Sequence, residues 1–121
     1  MNMKIITVIT FMLFSCVNMF AQMEIKSNLT DNEINDLTSK LVMKLLLNES
    51  QKSGVTNLLK TYRTELGKIN SGTGESGYKN KQELILSINT QIESLLDSKQ
   101  KMKYAVLEKD WWNSITESEN D

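Results

Sequence analysis

The chain has 121 residues, with 14 lysines and arginines against 15 acids, one cysteine and no histidine. The lack of histidine removes the commonest general base and metal ligand, and any Cys–His or Ser–His nucleophilic pair with it. A lone thiol excludes an internal disulfide and leaves no soft metal site.

Residues 1–21 read as an export signal. Lys4 supplies the cation, an apolar run starts at Ile5, and Ala21-Gln22 offers a small-residue cleavage point. The rival is lipidation at Cys16, since Leu13-Phe14-Ser15-Cys16 loosely fits a lipidation box; Phe14 stands where a small residue is usual. Cleavage after Ala21 makes the mature chain an exported protein. It leaves 100 residues with 13 cations against 15 acids, a net charge of −2. Residues 22–29 then form an N-terminal extension, 30–116 one helical domain and 117–121 a disordered acidic tail.

The rest of the chain is patterned for helices. Ile34, Leu37, Leu41, Val42 and Leu45 recur at spacings of three and four, with Thr30 or Asp31 as N-cap and Glu33 in the first turn. Val55, Leu58, Leu59, Tyr62, Leu66 and Ile69 mark a second helix, in which Gly54 and Gly67 each cost about 1 kcal/mol. The glycine-rich "NSGTGESGYKN" is a loop. Leu84, Ile85, Ile88, Ile92, Leu95 and Leu96 mark a third helix. The fourth carries Met102, Ala105, Val106, Trp111 and Trp112 on its apolar face, with Tyr104 and Leu107 adjoining. Met43 and Met102 read as core. Adjacent tryptophans point about 100° apart, so at least one should meet the rim, a partner or solvent.

One phrase occurs twice, as "LLNESQ" at 46–51 and "LLDSKQ" at 95–100. Asn48 and Asp97 are N-cap residues, and Gln51 and Gln100 stand three positions on, where a side chain reaches back to the cap's own N–H. Each phrase ends one helix and starts the next, with Leu46, Leu47, Leu95 and Leu96 packing inside the corner. A shift of 49 residues also pairs Lys52 with Lys101, Leu58 with Leu107 and Tyr62 with Trp111. The chain is thus two helix–joint–helix halves.

A signal peptide, an all-helical body and two L-[T/N/D]-x-x-Q phrases half a chain apart resemble the LTxxQ family, the Spy/CpxP-like periplasmic proteins. The phrases are Leu47-Asn48…Gln51 and Leu96-Asp97…Gln100, with asparagine and aspartate in place of threonine. The resemblance implies an all-α, elongated helical hairpin of about four helices with two capped joints, pairing into a cradle-shaped homodimer. It also implies ATP-independent chaperone or envelope-stress activity toward unfolded or partly folded envelope proteins. Metal-responsive members use histidines, which this chain lacks.

The charge pattern is compatible with such a role. Residues 40–109 carry 12 cations against 7 acids, between acidic ends. Lys40, Lys44, Lys52, Lys60 and Arg63 are the candidates for drawing a client in, and Tyr62, Trp111 and Trp112 for holding it. No carboxylates are arranged for catalysis, and neither cofactor nor metal is expected, a carboxylate metal buffer being a distant third reading. Nucleic acid does not suit an exported acidic protein. Membrane contact is expected only through a lipid on Cys16. The alternative function is structural or regulatory binding of one specific envelope partner, without general chaperone activity. The export reading has a direct check: protein isolated from its native envelope should begin at Gln22 by intact mass, and an acylated Cys16 would refute cleavage at Ala21.

Overall fold

The computed structural model of the protein describes residues 29–120, with side chains described to Glu117. Four helices account for nearly all of it: α1 (Asp31–Leu45), α2 (Glu49–Ser71), α3 (Lys81–Ser94) and α4 (Ser98–Asn120). The all-α expectation and both capped joints hold. The signal, the extension to Asn28 and Cys16 lie outside the described residues.

Each helix begins on a polar cap. Thr30 accepts from the Glu33 N–H at 3.1 Å while Glu33 reaches back to the Thr30 N–H, so Thr30 rather than Asp31 is the cap of α1. Asn80 caps α3 by accepting from the Glu83 N–H at 2.9 Å. At the end of α1 Leu46 adopts a left-handed conformation (φ 55°), and the Leu47 N–H closes onto the Val42 carbonyl at 3.2 Å. Such a residue is usually glycine, because a Cβ costs about 1 kcal/mol there.

Side-chain contacts fix the topology. Arg63 in the second half of α2 donates to Asp31 at the start of α1 at 2.7 Å, and Thr56, closer to the joint, meets Thr38, so α1 and α2 run antiparallel from their joint. Asn89 of α3 accepts from Tyr104 of α4, making the second half an antiparallel pair as well. Trp111 donates its indole N–H to the Leu37 carbonyl at 2.9 Å, which lays α4 antiparallel to α1. α2 packs on α3 across residues 72–80. Four helices therefore alternate up and down, with both joints at one end and the glycine-rich loop at the other.

The core is the inward stripe of each helix. Ile34, Leu41, Val55, Leu59, Leu84, Ile88, Ile92 and Ile115 are fully buried, and aromatics fill the middle. Tyr62 meets the Trp112 ring edge-on at 5.6 Å, Trp112 meets Trp111 at 5.3 Å, and Trp111 meets Tyr104 at 6.2 Å. Gly54 lies where α2 crosses Leu95; a Cβ there would come within 2.7 Å of the Leu95 side chain. The residue that weakens α2 thus lets it approach the second joint.

Four expectations are corrected. Both tryptophans are buried, because α4 has two neighbours: Trp111 faces α1 and Trp112 faces α3, so side chains about 100° apart both find cover. The buried face of α4 is Gln100, Tyr104, Trp111, Trp112 and Ile115, while Met102, Ala105 and Val106 are exposed. Met43, Met102 and Leu46 lie on the surface, not in the core or corner. The acidic tail continues α4 to Asn120 rather than leaving the helix, with neither proline nor glycine to stop it. Burial at the centre gives a measurable expectation. Trp111→Ala and Trp112→Ala should each cost about 3–5 kcal/mol in urea unfolding, as buried aromatic truncations do. A cost below about 1 kcal/mol would contradict their central place.

Candidate functional site

The doubled phrase turns out to be one site. Gln51 Oε1 accepts from the Asn48 N–H at 3.0 Å and Asn48 Oδ1 from the Gln51 N–H at 2.8 Å. Asp97 and Gln100 do the same, at 3.0 Å and 2.8 Å. Both capping boxes are therefore complete. What the sequence did not reveal is that the two glutamine amides face each other. Gln51 Nε2 donates to Gln100 Oε1 at 2.7 Å, and Gln100 Nε2 donates to Gln51 Oε1 at 3.2 Å.

Each amide then reaches across to the other joint. Gln51 Nε2 donates to the Leu95 carbonyl at 2.8 Å, and Gln100 Nε2 to the Leu45 and Leu46 carbonyls at 3.3 and 3.4 Å. One glutamine so caps the start of its own helix and satisfies carbonyls left open at the helix end in the other half. Leu47 and Leu96 are buried beside them, so the polar ring sits against apolar cover. This site holds the molecule together. With every amide function of the two glutamines used internally, none is offered to a ligand.

The candidate binding residues separate. Lys40 and Lys44, one turn apart on α1, and Trp111 on α4 line a single groove with Leu41, Leu107, Asp110 and Ser114, with a cavity of about 230 Å³. Its floor is apolar and its α1 rim is cationic. Lys52 and Lys60 are exposed on α2 and do not reach it. Arg63 is engaged by Asp31 and the Leu29 carbonyl, and this hydrogen bond and positive charge hold the Asp31 carboxyl below its ordinary range. Tyr62 is fully buried, so no client reaches it in the closed bundle. Of the eight candidates, Lys40, Lys44 and Trp111 line this groove together.

Trp112 belongs to a second groove, between α3 and α4, of about 310 Å³ and walled by Ile85, Leu86 and Lys109. Beneath it lies Asn89, a residue that periodicity did not single out. Its Oδ1 accepts from Tyr104 and from the Trp112 indole at 3.0 Å; its Nδ2 donates to Glu93 at 3.1 Å and Glu108 at 3.3 Å. Burial pushes the Tyr104 phenol well above its ordinary value; the Trp112 hydrogen bond opposes this, and the charges of Glu108 and Glu93 add to it. Tyr104 thus remains a neutral donor to Asn89 at any physiological pH. The signal for this hub was the asparagine amid the apolar positions of the third helix, one position past Ile88. Among the described residues no group of three or more histidines, cysteines or acids is placed to hold a metal ion.

The lock predicts strong coupling between distant positions in sequence. Gln51→Ala and Gln100→Ala should each destabilise by about 1–3 kcal/mol, since each leaves partly buried carbonyls and an amide unpaired. The double variant should cost less than the two together, because the second change removes an already orphaned partner. Strict additivity in urea titrations would show the two joints to be independent. Comparison of the chain with protein-family models, with curated proteins and with solved structures finds no match.

Proposed function

We propose that this is an exported, ATP-independent chaperone-like or envelope-stress binding protein of the Spy/CpxP-like type, which captures unfolded or partly folded envelope polypeptides without performing chemistry on them. The observation that carries the reading is the α1–α4 groove, where Lys40 and Lys44 stand over an apolar floor of Leu41, Leu107 and Trp111. A cationic rim raises the encounter rate with acidic or unfolded chains, and an apolar floor slows departure once a side chain is seated. The two joined phrases support kinship with that family, and on this reading the protein works as a homodimer. Its locked end would let the grooves keep their shape while clients come and go.

The size of the grooves favours a second reading. Cavities of about 230 and 310 Å³ receive a side chain or two each, which suits one specific envelope partner docking by two anchors.

One experiment addresses both. Aggregation of a denatured model client should be suppressed by the protein without nucleotide, and stopped-flow association should slow as salt is raised while dissociation changes little. Lys40→Gln with Lys44→Gln should slow association several-fold at low salt. Lys52→Gln with Lys60→Gln, away from the groove, should have a smaller effect. Failure to suppress aggregation of any of several unrelated clients would remove the general-chaperone reading and leave the single partner.

A further inference from the structure

We propose that the outward face shared by α1 and α4 is a docking surface for an anionic lipid leaflet, on which the protein lies without crossing it. This goes beyond polypeptide capture in the grooves and does not depend on it. The joint end carries large exposed hydrophobic residues on both helices, Met43 (77% exposed) on α1 with Leu46 (75%) just after it, and Met102 (73%) and Val106 (85%) on α4. Met43 stands two positions from buried Leu41 and Leu45, about 200° around the helix, and so points away from the core. Met102 and Val106 are one turn apart and hold the same relation to buried Gln100 and Tyr104. The bond from Gln100 to the Leu45 carbonyl brings the joint halves of the two helices level with each other.

Two costs are borne at this surface. Leu46 exposes an apolar side chain from a left-handed backbone that glycine would occupy more cheaply. A surface helix face that carries Met102, Ala105 and Val106 gains nothing from them in the isolated bundle. Both costs are offset where the face is covered.

Charge identifies what covers it. Exposed Lys40, Lys44, Lys99 and Lys103 flank these residues, and among the described residues none of the four makes an ion pair. One acid of the two helices stands close: exposed Asp110, one turn beyond Val106, lines the groove with Lys40 and Lys44, which leaves the lysines in excess toward the joint end. Asp31, Glu33 and Asp36 are toward the start of α1, Glu108 accepts from Asn89 on the α3 side, and Asp97 caps α4; Glu49 opens α2. Two copies apposed symmetrically through this face would bring like charges together, which disfavours a second copy. The apolar residues project from the outer sides of the helices, so the face offers contact area to a plane rather than a slot for a strand or helix. Projecting apolar side chains ringed by lysines, whose stems lie along the apolar surface with heads in the phosphate layer, are the arrangement of interfacial helices. No described helix is long and apolar enough to cross a membrane.

The test uses the protein as its host processes it, with residues 1–28 treated identically in every variant. It should co-sediment with phosphatidylglycerol vesicles at low salt and far less with phosphatidylcholine vesicles. Lys99→Gln with Lys103→Gln, both outside the groove, should weaken partitioning more than tenfold, at about fivefold per lysine. Met102→Asp with Val106→Asp should weaken it at least tenfold while helicity and melting stay unchanged, since both side chains are exposed. Equal sedimentation with both lipids, or variants that bind as the parent does, would overturn the proposal. So would a Met102→Asp/Val106→Asp variant that turns a dimer into a monomer by light scattering yet binds vesicles normally.

Discussion

The reciprocal amide pair of Gln51 and Gln100 is the constraint on which the rest of the molecule depends. Two hairpins of thin amphipathic helices bury a modest core, and no disulfide is available to fasten them. A lock at one end fixes the relative height of all four helices. That height sets which side chains meet further along, including Trp111 on the Leu37 carbonyl and Trp112 on Asn89. The hydrogen bonds themselves contribute modestly, because water would serve the same groups in the unfolded chain. Their weight lies in specificity: sliding either hairpin by one turn would strand several buried polar atoms at once.

The second organising element is the aromatic and polar centre. Tyr62, Trp112, Trp111 and Tyr104 meet edge to face across the bundle, and Asn89 takes the phenol and one indole while the other indole goes to backbone. Large rings fill the centre between the four helices, and each polar edge among the tryptophans is satisfied. The same packing leaves shallow grooves on either side of α4, where Trp111 and Trp112 show only an edge. Groove walls and core are therefore built from the same residues, so truncating either tryptophan would alter both at once.

Much of this was legible in the sequence, for identifiable reasons. Helix positions followed from the three-and-four spacing of residues such as Leu37, Leu41 and Leu45, and the joints from the capping chemistry of Asn48 and Asp97. The phase of α4 was not legible. Met102, Ala105 and Val106 form an apolar stripe as regular as the buried one, and periodicity cannot choose between two stripes on one helix. The pairing of Trp111 and Trp112 with different neighbours needed the topology first. Nor could spacing show that the two glutamines touch, although a 49-residue repeat of the same polar phrase beside buried leucines was the available sign. Lys52 and Lys60 had the right charge, but α2 does not border the groove, and charge alone carries no address.

The loop over residues 72–80 lies at the end opposite the lock, and it joins the two hairpins to each other. Nothing in the amide ring records whether its two glutamines come from one chain. The ring is closed within a molecule because the loop keeps the hairpins at a high effective concentration, a matter of tether length. An identical ring, with identical caps and carbonyl partners, would form between the first hairpin of one chain and the second hairpin of another. The near-symmetry of the two halves thus makes self-closure and exchange between molecules alternatives of equal bonding, divided by the entropy of a short glycine-rich tether.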